Sequence, residues 1–256
     1  MAEIQIIEGF GGGPDCRVMP CKDGGGRITC YPLFSGVTAM LVQIETHGFL
    51  ERRAQRDGLE INFCVNGRFE SEFSPRDCVV LKPGDMSVSC FDGRHGLQSE
   101  SSFPLGYYEG VCIDVDCAAA ARWMRENVAP LSTDFAALRA NLLGGHWYMA
   151  EGAGPRCEHV FRELFENLAY FDQTYLCIKT LELFRLLCTI PRSELSRHYC
   201  SAGQLRLARH LRDHLLTGRN GYDALASLAA EHQISVTYLQ KLFRRVYGTP
   251  VYHYLK

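Results

Sequence analysis

Four polar side chains near the C-terminal end carry the clearest chemistry in this sequence. Thr237, Gln240, Lys241 and Arg244 recur at i, i+3, i+4 and i+7, the spacing of one face of an α-helix. Glutamine can donate and accept together at the edge of an adenine. Lysine and arginine reach guanine acceptors or phosphate oxygens. Arg245 adds a second cation beside Arg244, and Tyr238 lies in the same segment. The opposite face, Leu239, Leu242, Phe243 and Val246, is apolar. Ser235 stands where a hydroxyl can satisfy a free N–H of the first helical turn. Ser235, Thr237, Tyr238, Gln240, Lys241, Arg244 and Arg245 are therefore the candidate contacts to double-stranded DNA, through its major groove.

Two further helices must hold this one. In "QLRLARHLRDHLL", Leu205, Ala208, Leu211 and Leu215 share a face, and "TGRNGYD" breaks the pattern. "YDALASLAAEH" places Leu225, Leu228 and Ala229 inward, and the small Ala229 permits close packing. "HQIS" is a tight turn into the third helix, which completes a helix-turn-helix pattern. The charge distribution agrees. From Gln204 to Lys256 eight Lys/Arg stand against three Asp/Glu, a balance of +5, whereas the rest of the chain carries −7. A basic tail on an acidic body suits one module that faces a polyanion.

The preceding residues have other periods. Up to Cys117, the runs "TAMLVQIET", "LEINFCVNG", "RFESEF", "CVVLKPGD", "MSVSCF" and "YYEGVCIDV" read as strands of a sandwich or barrel. Asn66-Gly67 predicts a type I′ hairpin and "LKPGD" a turn. From Ala118 the pattern is helical. Val160, Phe161, Leu164, Phe165, Leu168 and Phe171 form one apolar stripe, followed by the mostly apolar "YLCIKTLELFRLLCTI". This pair predicts an antiparallel hairpin that either packs on the strands or forms a homodimer interface. The polar segment 192–203 reads as a linker.

The string "LAxExxISxxYLxxLFRRxxGTPxxxYL", from Leu228 to Leu255, resembles the first helix-turn-helix of the AraC family of bacterial transcription regulators. The resemblance covers about the last fifty residues. It implies an α+β chain in three parts: a cupin-like ligand-sensing β-barrel (1–117), a helical dimerisation region (118–201), and the first half of a two-part DNA-reading domain (202–256). The family joins two such units by a long helix, of which "VYHYLK" is the start, so the second unit is expected to be absent from this sequence. With one reading helix, weak and salt-sensitive DNA binding is expected. The resemblance also implies a small-molecule effector and a homodimer. Phe63 and Phe91, on strand-like runs, are candidate ligand-binding residues. Two other readings stay open: a cupin-type enzyme with a helical tail, and a regulator that acts through protein–protein contacts.

Other chemistry finds little support in the sequence. "IETHGFLERR" pairs His47 with Glu51, and His95 stands in a distant loop, so no three-ligand metal site is assembled and none is expected. No G-x-S-x-G, P-loop or H-E-x-x-H motif occurs, so neither a catalytic residue nor a cofactor is predicted. The twelve cysteines include no C-x-x-C pair and read as reduced core residues, with Cys16, Cys21 and Cys30 as the alternative, a thiol or metal sensor. The N-terminal "MAEIQIIEGFGGG" lacks a basic leader and a long apolar run, which predicts a cytoplasmic protein without membrane contact.

Overall fold

The computed structural model describes residues 5–7, 15–21, 24–52, 57–72, 78–92, 98–144, 146, 148–191, 201–216 and 221–254. Eleven strands come first: β1 (Gln5–Ile7), β2 (Asp15–Cys21), β3 (Gly24–Phe34), β4 (Val37–Glu45), β5 (Gly48–Arg52), β6 (Asp57–Gly67), β7 (Phe69–Glu72), β8 (Cys78–Leu81), β9 (Asp85–Asp92), β10 (Gln98–Ser102) and β11 (Tyr108–Asp116). Helices α1 (Cys117–Asn127) and α2 (Phe135–Leu143) follow, then strand β12 (Tyr148–Gly152) and the helix pair α3 (Gly154–Leu168) and α4 (Gln173–Thr189). Four helices close the chain: α5 (Ala202–Leu216), α6 (Gly221–Glu231), α7 (Val236–Tyr247) and α8 (Val251–Tyr254).

The strands form two antiparallel sheets. One has eight strands in the order β1-β2-β3-β4-β11-β6-β9-β12, and the other has four in the order β5-β10-β7-β8. The ladders among the described residues form two separate sheets and do not show closure of the expected cupin-like barrel. The Asn66-Gly67 hairpin is a correction. Only Gly67 has a positive φ, 81°, whereas a type I′ turn needs two such residues. Strand β6 runs through both positions, pairing Asn66 with Glu109 and Gly67 with Tyr108. The chain then crosses to the other sheet. A Cβ at Gly67 would collide with the Tyr107 carbonyl oxygen, so glycine is required at this corner. The "LKPGD" turn forms as read: the Asp85 N–H donates to the Lys82 carbonyl at 2.9 Å, with Gly84 at φ 88°.

The two faces of the large sheet have different fates. Ile44, Cys64, Tyr108 and Ala150 point toward the small sheet and meet Val79, Leu81 and Phe103. The rings of Phe69, Phe103 and Tyr108 fill that space, with centroids 5.6–5.8 Å apart. The other face, including Leu59, Ile61, Phe63, Val111 and Ile113, packs against α1 to α4 in one continuous core. Strand β12 pairs with β9, so residues 118–201 also contribute to the sheet. That core uses up the α3 stripe. Val160, Phe161, Leu164 and Leu168 are buried by the chain itself, and Phe161 stacks on Phe63 at 4.6 Å. The stripe thus gives no support for a dimer contact.

Helix ends follow local chemistry. Asp116, Asp134 and Asp172 each accept a hydrogen bond from a first-turn N–H of α1, α2 and α4 respectively. Helix α4 stops at Thr189, two residues before Pro191, as read. None of the described helices is long and apolar enough to cross a membrane.

Candidate nucleic-acid interface

Ser201 and Gln204 open α5 with a reciprocal cap. The Gln204 N–H donates to Ser201 Oγ at 3.2 Å, and the Ser201 N–H donates to Gln204 Oε1 at 3.0 Å. Leu205, Ala208, Leu211 and Leu215 of α5 are buried against Leu225, Leu228 and Ala229 of α6 and against α7, as their spacing predicts. Helix α6 ends in a tight double bond. The Ile234 N–H reaches the Ala229 carbonyl at 2.9 Å, and the Gln233 N–H reaches that of Ala230 at 3.2 Å. This Schellman turn needs a left-handed residue, and Gln233 supplies it at φ 54°.

Ser235 then launches α7. Its Oγ accepts from the Tyr238 N–H at 3.1 Å, and Gly248 ends the helix at φ 75°, its N–H 2.8 Å from the Arg244 carbonyl. Leu239, Leu242, Phe243, Val246 and Tyr247 are buried. Thr237, Gln240, Lys241, Arg244 and Arg245 are exposed on the far side. The seven candidate residues therefore divide. Five present an outer face, Ser235 spends its oxygen on capping, and Tyr238 takes a bond from Gln204 Nε2 at 2.8 Å, which ties α7 to the start of α5. The face contains no acidic residue, so its field is of one sign.

Behind this face lies a seam with the small sheet that sequence reasoning missed. Glu70 of β7 is fully buried, and its Oε2 accepts from Arg209 of α5 at 2.8 Å (Nε) and 2.6 Å (Nη2). Burial pushes the Glu70 carboxyl up, and Arg209 only partly offsets this. Arg68 packs against the end of α7, where a Cβ at Gly248 would collide with its guanidinium. Val80 packs on the α5–α7 core, and the Tyr254 hydroxyl donates to the Pro104 carbonyl at 3.2 Å. Burial also raises the Tyr247 phenol, with Glu70 adding to the effect. A charged Glu in the strand-like "RFESEF" was the available signal, because a buried acid needs a cationic partner.

The candidate ligand residues fare differently. Phe63 is 0% exposed and stacked on Phe161, so its ring faces the helices. Strand β9 contains Phe91, whose side chain lies outside the described residues, as do residue 95 and the side chain of Glu51. His47 is exposed beside Gly106. An open cleft of about 500 Å³ lies between α1 and α2, lined by Arg125, Ser132, Thr133, Phe135 and Arg139 among others. Of the sensor cysteines, Cys30 is buried, and the side chains of Cys16 and Cys21 lie outside the described residues. Burial pushes the Cys64 thiol up to about 12, away from the thiolate form.

No family model matches this chain, and no curated protein matches it. Among solved structures it is similar to the AraC-like transcriptional activator CuxR, at 12% identity over 95% of this chain and 80% of that one, with a TM-score of 0.38. It is similar to a variant of apo ToxT from Vibrio cholerae at 10% identity over 87% and 97%, with a TM-score of 0.40. It is also similar to a putative ethanolamine utilization protein from Salmonella typhimurium at 14% identity over 45% and 96%, with a TM-score of 0.30. All three scores fall below 0.5. The residues of α6 and α7 carry the functional argument instead.

Proposed function

We propose that this chain is a DNA-binding transcription regulator of AraC type, in which α7 enters the major groove of duplex DNA. The observation that carries this reading is the exposed face Thr237–Gln240–Lys241–Arg244, held on a helix whose other side is buried. In this reading Gln240 and Lys241 meet base edges, and Arg244 and Arg245 meet phosphates. The β body together with the helices packed on it, α1 to α4, acts as the sensing module, with no catalytic role, in the cytoplasm. Its effector is placed in the cleft between α1 and α2, because aromatic side chains fill the space between the sheets. The cation Arg125, the carboxylate of Asp134 and the hydroxyls of Ser132 and Thr133 suit a polar small molecule. The Glu70–Arg209 seam couples the body to the reading helices.

The test is selection of bound duplexes from a random pool, followed by titration of the enriched sequence at physiological salt. Enrichment of a defined motif, lost in Gln240→Ala, supports the reading. Recovery of an unenriched pool by both chains contradicts it.

A further inference from the structure

Three metal-ligand side chains converge at the turn that precedes α7. His210 comes from the middle of α5, Glu231 is the last residue of α6, and His232 is the next residue along. One ligand atom from each lies within 4.8 Å of the other two. The His210 and His232 rings stand nearly perpendicular, with centroids 6.0 Å apart. His214, one turn beyond His210, packs edge-on to it at 4.5 Å, and its Nδ1 lies 3.1 Å from the His210 carbonyl oxygen. Two imidazoles and a carboxylate are a donor set for borderline transition-metal dications.

Two local features are unfavourable on their own. Glu231 places a negative charge at the negative end of the α6 dipole, where a cation is preferred. Gln233, two residues on, holds a left-handed backbone that a side chain disfavours. A dication bound to Glu231 and His232 reverses the first penalty and fixes the turn that contains the second. It would also tie that turn to α5 through His210. Tetrahedral zinc holds its ligand atoms roughly 3.3 Å apart. Closing from the present spread needs only rotamer adjustment, since Glu231 and His232 are exposed and His210 is half-buried.

We infer that His210, Glu231 and His232 form a site for a divalent transition-metal ion, with zinc as the reference ion, that pins the turn launching α7. The site stands on these side chains and holds whether or not α7 meets DNA. His210 lies on another helix, far in sequence from the adjacent Glu231 and His232, so the set has no recognisable metal-ligand spacing and sequence reading did not find it.

The experiment uses the full chain, stripped with a chelator and then titrated with Zn²⁺ by calorimetry and followed by thermal shift. The expected result is binding of one ion per chain and a rise in Tm, since a ligand of the folded state stabilises it. His210→Ala and His232→Ala should each weaken binding at least roughly tenfold, and Glu231→Gln should weaken it less. Co²⁺ in place of zinc should give a spectrum without a thiolate charge-transfer band. Should His210→Ala fail to fold, His232→Ala on the exposed turn decides the matter. Unchanged zinc binding in His232→Ala overturns the inference. So does a thiolate band that disappears when the cysteines are alkylated, because the ion then sits on sulfur. Absence of zinc binding by the unaltered chain at submillimolar metal also overturns it.

Discussion

Helices α3 and α7 are built on the same amphipathic plan, yet their polar faces differ in kind. On α3, Arg162 pairs with Glu158 at 2.7 Å, and Glu163 pairs with Lys179 of α4. Its outer surface neutralises itself. On α7 the outer surface holds Thr237, Gln240, Lys241, Arg244 and Arg245, with no acid anywhere in the helix. A self-neutralised face asks only for water, whereas a face of one sign attracts a polyanion. Both helices bury their apolar sides within the chain. The difference between them therefore lies in what the solvent side is made to meet.

The first way to break this comparison is through the buried sides. Leu164→Asp puts an unpaired charge where the side chain is 0% exposed, a cost of several kcal/mol. The expected outcome in circular dichroism is an unfolded body. A folded chain that merely changes its mass in light scattering would restore the α3 stripe as a dimer contact.

The seam between the two regions comes next. Arg209→Ala leaves Glu70 buried without its cation, at about 3 kcal/mol. Scanning calorimetry should then resolve one transition into two as the α5–α8 helices part from the small sheet. A single transition at an unchanged Tm would show that the seam contributes nothing. The same pair sets a pH dependence. The raised carboxyl of Glu70 means that the folded chain keeps this proton to higher pH than the unfolded chain does. Between the ordinary value near 4.5 and the raised one, the folded state binds more protons. This contribution to stability is thus full below 4.5 and falls as pH rises through the window, opposite to an ordinary paired carboxylate. Glu70→Gln should lack that fall, and parallel pH profiles of Tm for the two chains would disprove it.

Smaller effects separate the two solvent faces. Gln240→Ala should reduce discrimination at one base pair by about 1–3 kcal/mol and leave Tm unchanged. Arg162→Ala on α3 should cost no more than about 0.5 kcal/mol in stability and change DNA binding not at all. Equal losses of DNA affinity in these two variants, read by anisotropy, would erase the distinction between the helices.

Legibility in the sequence followed the range of the forces involved. The α5–α7 unit could be read because its signals are local: a 3.6-residue period, the Ser235 cap and the Gly248 stop. The run 107–115 likewise supplies most of β11, because aromatic and β-branched residues bounded by turn residues mark a strand. Strands β1, β2, β3, β5, β10 and β12 escaped notice, as segments whose extended form is set by their partners in the ladder. Asn66-Gly67 misled for a related reason: tertiary pairing with β11 carried the strand past a local turn signal. In the candidate site, α7 was legible residue by residue. The Glu70–Arg209 contact and the His210–Glu231–His232 cluster were not, because each joins residues from separate elements.

The central claim is that the outer face of α7 binds duplex DNA, and a salt series of anisotropy titrations tests it most directly. A labelled duplex is titrated with the unaltered chain and with the double variant Lys241→Ala, Arg244→Ala, at several salt concentrations. The account predicts measurable binding by the unaltered chain, weakening as salt rises. In the double variant the slope of log affinity against log salt should be shallower by about 0.9, for the phosphate neutralisation lost with Arg244. Both exposed side chains can be removed without touching the core, so the variant should keep its Tm. Identical slopes and affinities for the two chains, or no DNA binding by the unaltered chain at low salt, would contradict the account.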